Sequence, residues 1–115
     1  MERLHNMRYV LFLGFFLYSV FASGQISIIQ FNADWNNSNS IDWLEELSDV
    51  DKIKYIDIAE NTEAQKKHKI VVVPTIIVLR DGEEVKRFQA DISFSMKATK
   101  KEVQEAIDEE LMSDF

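Results

Sequence analysis

The sequence predicts one domain of the α/β class, and three observations carry that prediction. Short β-branched runs alternate with segments of helical apolar spacing over residues 26–68. Asp81-Gly82 then sits between two further strand-like runs, as a hairpin turn does. An amphipathic segment opening on Thr99-Lys100-Lys101-Glu102 follows. The alternation implies parallel strands joined by right-handed crossovers. The hairpin adds an antiparallel pair, so the sheet is mixed.

Residues 1–24 have the layout of a secretory signal peptide. Arg3, His5 and Arg8 give a basic start, residues 9–22 are almost wholly apolar, and Ala22-Ser23-Gly24 supplies small residues before Gln25. The apolar run is short for a bilayer span, which needs about 20 residues. An exported protein, periplasmic or secreted, is expected, with residues 25–115 as its domain. The alternative is an uncleaved membrane anchor through residues 9–22.

Residues 26–31 are a strand candidate, apolar on both faces except for Gln30. Residues 36–40 are all Asn or Ser, each able to cap a helix. A helix is expected over residues 40–48, with Ile41, Leu44 and Leu47 on its inner face and Trp43 half-buried. Residues 52–58 read as a short buried strand. Thr62-Glu63-Ala64-Gln65 fits a capping box for a short helix reaching His68.

Residues 70–79 are apolar apart from Pro74 and Thr75. Proline interrupts strand pairing, so the strand starts at Thr75. Residues 85–89 return as an edge strand, and Lys86 and Arg87 discourage edge-to-edge association. Residues 90–98 make a longer link than the hairpin needs, with Ile92, Phe94 and Met96 at alternate positions. In the last helix Val103, Ala106, Ile107 and Leu111 point inward. Acids near its C-terminal end oppose the helix dipole.

Composition excludes several functions. The net charge is −7, and no basic cluster suits nucleic acid. Lys66-Lys67-His68-Lys69 reads as a solvated helix end. There is no cysteine, hence no disulfide, thiolate nucleophile or Cys-ligated zinc. His68 is the one histidine outside the leader, too few for a multi-histidine metal site. The pairs Glu45-Glu46, Glu83-Glu84 and Glu109-Glu110 lack the alternating ligands of a calcium loop and read as solvated faces. No metal or cofactor is expected. Asn36-Asn37-Ser38 matches the N-glycosylation pattern.

Phe31-Asn32-Ala33-Asp34-Trp35 leads into Asn36-Asn37-Ser38-Asn39, and Val71-Val72-Val73-Pro74-Thr75 answers it. With the Asp-Gly hairpin and the last helix, these motifs make residues 26–111 similar to the thioredoxin family. The resemblance implies a three-layer α/β/α sandwich around a central mixed sheet of about four strands, and a cis bond before Pro74. In that family a thiolate at a helix start attacks a disulfide and a second thiol releases the product. Asn36 and Asn39 stand in the two cysteine places, and Gln30 where the family often carries a buried acid. Dithiol–disulfide chemistry is therefore excluded.

What the resemblance leaves is a groove for a protein or extended peptide, bounded by Trp35, Asn36, Asn39, Val73, Pro74 and Ala90. Each of these has a plainer reading. Trp35 can be a half-buried packing residue, Pro74 can merely complete the fold, and residues 36–39 can be a polar cap. Phe94 and Met96 either extend an apolar contact or pack a loop. Two functions compete: a redox-inactive binding module, or a structural subunit of a larger membrane or virion assembly. No nucleophile–base pair or phosphate loop supports an enzyme of another kind.

Overall fold

The computed structural model describes residues 24–113. Residues 1–23, which hold the expected leader apart from Gly24, lie outside them. Among the described residues no helix is long and apolar enough to cross a membrane.

Four strands form one mixed sheet in the order β2-β1-β3-β4. They are β1 (Ile26–Asn32), β2 (Lys52–Asp57), β3 (Thr75–Arg80) and β4 (Glu83–Gln89). β1 runs parallel to β2, with Asn32 opposite Asp57, and antiparallel to β3, with Phe31 opposite Thr75. Asp81 and Gly82 both have positive φ (52° and 85°) and join β3 to β4 as a two-residue hairpin turn. Helix α1 is Thr62–Lys67 and helix α2 is Lys100–Met112.

Alternation along β1 and β3 divides the core in two. Ile26, Ile28, Ile76 and Val78 face α2 (Val103, Ile107) and the segment carrying Ile41, Leu44 and Leu47. Ile29, Phe31, Ile77 and Leu79 face Ile70 and Val73, with Ala64 of α1 packed against them. The result is the three-layer α/β/α sandwich expected. Each of the buried Ile, Leu, Val and Phe side chains contributes about 1.5–3 kcal/mol on leaving water.

Three local expectations need correction. Residues 40–48 form no α-helix: the segment holds one 3-10 turn, Leu44–Glu46, after another at Asp34–Asn39. Ser40 and Leu47 are extended (ψ 145° and 142°), which stops the winding at both ends. The amide of Ile41 donates to Gln30 Oε1 at 2.8 Å instead of to a helical carbonyl. Secondly, β2 is not buried. Only β1 pairs with it, and Tyr55 is 54% exposed. Lys52 and Lys54 are exposed along this edge, where lysine opposes further pairing. Thirdly, the cap of α1 sits one residue early: Asn61, not Thr62, accepts from the Ala64 amide at 3.0 Å.

The cap of α2 is as expected, with Thr99 Oγ1 accepting from the Glu102 amide at 3.2 Å. Its acid-rich far end receives a cation: Arg80 Nη1 donates to the Glu110 carbonyl at 2.7 Å. α1 is closed in the same manner, by Arg87 Nη1 on the Lys69 carbonyl at 3.0 Å. Arginines of the β3–β4 hairpin thus terminate both helices with charge that suits their dipoles.

Candidate functional site

The site lies where β1 ends. Asn32, the last residue of β1, is 7% exposed, and Asn36 is 4% exposed. Two buried amides cost free energy unless their donors and acceptors are met, and here they meet each other. Asn36 Nδ2 donates to Asn32 Oδ1 at 3.1 Å, and Asn32 Nδ2 donates to the Asn36 carbonyl at 3.2 Å and to Ser40 Oγ at 2.8 Å. Asn39 Nδ2 closes the turn by donating to Asn36 Oδ1 at 2.8 Å.

The same Asn36 amide reaches out of the turn. Its nitrogen lies 3.0 Å from the Phe94 carbonyl and 3.5 Å from the Val73 carbonyl. Two hydrogens are thus directed among three oxygens, with Val73 the longest contact. The turn at 33–40, the loop at 71–74 and the loop at 90–98 converge on one side chain. The Ala90 amide donates to the Pro74 carbonyl at 3.0 Å, which joins the latter two loops again. The Val73–Pro74 peptide bond is cis.

Around this tie the surface is apolar. Trp35 is 65% exposed and meets Phe94, 41% exposed, edge to face with ring centroids 5.1 Å apart. Phe94 is held at φ 62° by the turn beneath it, where its amide donates to the Asp91 carbonyl at 3.0 Å. Asp91 accepts from the Ser93 hydroxyl and amide, and these bonds, the hydroxyl's first, hold its carboxyl below the usual range. Val71 and Ile92, on the same loops, are also exposed.

The six residues expected at a groove are therefore brought together but not equally presented. Trp35 and Asn39 are exposed, while Val73, Pro74 and Ala90 are buried or nearly so and form a floor. Asn36 is 4% exposed, and its amide serves as the tie between loops. Of the alternating apolar residues in the 90–98 link, Ile92 and Phe94 are exposed and Met96 packs against the α2-side core.

Sequence reasoning missed two features. One is Asn32, a polar residue ending an otherwise apolar strand. The other is a trio of carboxylates, Asp34, Asp57 and Glu60, whose oxygens all lie within 4.8 Å of one another. Their spacing in the sequence hides this, because the parallel β1–β2 register brings them together. None of the three forms an ion pair with a base among the described residues. Asp34 and Asp57 also line a cleft of about 210 Å³ beside Gln30, Asn37 and Tyr55.

Comparisons with known proteins agree with this geometry. Residues of this chain are 36% identical to thioredoxin of Bacillus subtilis over 59 residues, 51% of this chain and 54% of that protein. The chain thus spans about half the length of the curated relative it matches. Among solved structures, a mutant thioredoxin of Halobacterium salinarum superposes with a TM-score of 0.57 at 20% identity, covering 76% of each chain. Thioredoxin 1 of Thermosipho africanus gives 0.56 at 24% identity, covering 76% of this chain and 97% of its own. That of Fasciola hepatica gives 0.55 at 24%, covering 76% and 83%. No family model matches. The fold is that of a thioredoxin. The chain has a thioredoxin-like fold without the Cys-x-x-Cys motif, and its 115 residues hold no thiol to attack a disulfide.

Proposed function

We propose that this is a redox-inactive, non-enzymatic binding module, exported or membrane-tethered, that holds a protein or extended peptide in the groove beside Trp35 and Pro74. One observation carries the reading. The cysteine places are filled by Asn36, whose amide ties three loops together, and Asn39, whose amide closes the turn, while Trp35 and Phe94 stay exposed above them. A domain that needed only a packed core would have no use for an exposed aromatic pair mounted on a hydrogen-bonded base. Exposed apolar patches of this kind mark interaction surfaces, and the buried floor at Val73 and Pro74 suits an extended backbone laid across it.

The test places a photo-crosslinker at Ser38, exposed in the same turn, and a control crosslinker at Glu105 on the outer face of α2. Capture at Ser38 that disappears with Trp35→Ala supports the groove. Capture only at Glu105 moves the function to the far face and favours a structural subunit.

A further inference from the structure

We propose that Asp81 is the receptor for a new amino terminus at Gln25: cleavage after Gly24 leaves an ammonium that the Asp81 carboxylate holds, and the ion pair keeps Gln25 from cyclising to pyroglutamate. The inference rests on the exported form of the reading above and is independent of the groove. Asp81 turns the β3–β4 hairpin with its backbone, at φ 52°, and an asparagine would serve that turn as well. Its carboxylate points instead at the start of β1. Oδ1 and Oδ2 accept from the Gly24 amide at 2.8 and 2.9 Å, and Oδ1 accepts from the Gln25 amide at 3.0 Å. The Asp81 amide in turn donates to the Gln25 carbonyl at 2.9 Å. These bonds to the carboxylate, the Gly24 amide's first, hold the Asp81 carboxyl below its usual range.

Ala22-Ser23-Gly24 supplies the small residues that precede a leader cut. Hydrolysis of the Gly24–Gln25 bond by a leader peptidase consumes one water and leaves a carboxylate on Gly24 and an ammonium on Gln25. The two Gly24 contacts are lost, and the nitrogen already 3.0 Å from Asp81 Oδ1 becomes a charged donor, which strengthens that bond. Other charges face the same place. Asp51 Oδ2 accepts from the Ile26 amide at 2.8 Å, so a second carboxylate lies one residue away. Arg80, whose Nη2 passes beside Gly24, opposes an ammonium, but its Nη1 is paired with Glu110 Oε1 at 3.4 Å. Two aspartates against one paired arginine favour the cation. A free α-amine at Gln25 attacks its own side-chain Cδ: a C–N bond closes the ring, the bond to the amide nitrogen breaks, and ammonia leaves with the amine's proton. An ammonium has no lone pair for that attack. The new terminus lies at the opposite end of β1 from the groove, about 20 Å away, and leaves the groove clear.

The experiment expresses the full chain with its leader in a secreting host and takes the protein from the exported fraction. Intact mass and mapping of the first peptide give the start and the fraction of pyroglutamate. Asp81→Asn keeps the turn and removes the charge, and Glu83→Gln removes one charge from the same hairpin as a control. The unaltered protein is expected to start at Gln25 and, at about pH 7, to cyclise about threefold more slowly than Asp81→Asn, with Glu83→Gln matching the unaltered protein. Thermal unfolding is the second readout. An amino group that gains a carboxylate on folding titrates above its unfolded value of about 7.7–8.0, so its stabilisation is whole below that value and is lost as pH rises through the folded one. Between about pH 7 and 9 the Tm should therefore fall about 2–4 °C further in the unaltered protein than in Asp81→Asn. A start at Gln25 with equal cyclisation and equal Tm profiles would overturn the role of Asp81 and leave export standing. A start at another residue would overturn the inference alone. A retained leader would remove both the inference and the exported form of the reading, while the groove stands or falls by its own crosslinking test.

Discussion

Two segments cover the same face of the sheet and reach it by different means. Residues 41–47 and helix α2 both bury apolar side chains at helical spacing, Ile41, Leu44 and Leu47 from one, Val103 and Ile107 from the other. Only the second is a helix. They even grip each other: Gln104 donates to the Ser48 carbonyl at 3.1 Å and accepts from its amide at 2.8 Å. The difference lies in what competes with the backbone. Residues 36–42 are Asn, Ser or Asp apart from Ile41, side chains that bond locally and favour turns. Helix α2 has one threonine, placed at its cap, followed by good helix formers. Apolar spacing decides which side chains are buried, and polar chemistry decides whether the backbone winds.

The largest effects should ignore the distinction. Leu44→Ala and Ile107→Ala are each expected to destabilise by about 2–5 kcal/mol in urea unfolding, since both side chains are almost wholly buried. A Leu44→Ala cost under about 1 kcal/mol would mean the irregular segment is only draped over the core.

The next effects should separate the two. Asn36→Ala removes the tie among three loops and is expected to cost about 2–3 kcal/mol. Amide exchange should quicken over residues 33–40 and 90–98 and stay slow in α2. Thr99→Ala removes one cap bond and should cost about 1 kcal/mol, with faster exchange confined to the first turn of α2.

The smallest is a pH effect on the opposite face. His68 packs on Phe31, with ring centroids 5.1 Å apart. Burial first, then Lys67, holds its pKa below 6.5. The unfolded chain therefore binds the proton at a higher pH than the folded one, so stability is present above 6.5 and falls as pH drops from there toward the folded value. His68→Asn should flatten that limb in thermal unfolding. Because His68 lies across the sheet, exchange in residues 41–47 and in α2 should then change together as the core loosens, and a change in only one would show that they are not one cooperative layer.

Much of the fold was legible because strand periodicity and turn chemistry agree with each other. The strand at 26–31, the start of β3 after Pro74, the Asp81-Gly82 turn and the Thr99 cap all follow from local rules that tertiary contacts do not override. The failures are where such rules compete. At residues 40–48 the apolar period suggested a helix, while the Asn and Ser residues read as its cap prevent it. At β2, composition suggested burial, but position in the sheet decides exposure, and that is set by long-range pairing. That the residues around Trp35 and Pro74 lie close together was legible. The part played by Asn36 was not, because its partners at Asn32, Val73 and Phe94 are brought to it only by folding. The carboxylate trio was hidden for the same reason.

The buried Asn36 amide has a consequence for modification. Asn36-Asn37-Ser38 carries the acceptor pattern for an N-linked sugar, and the nitrogen that a sugar would take is the one donated to Asn32 and to the Phe94 carbonyl. Glycan and closed loops compete for a single atom. A chain glycosylated at Asn36 would have to leave its three loops unlatched, and a chain that has already latched them presents no acceptor.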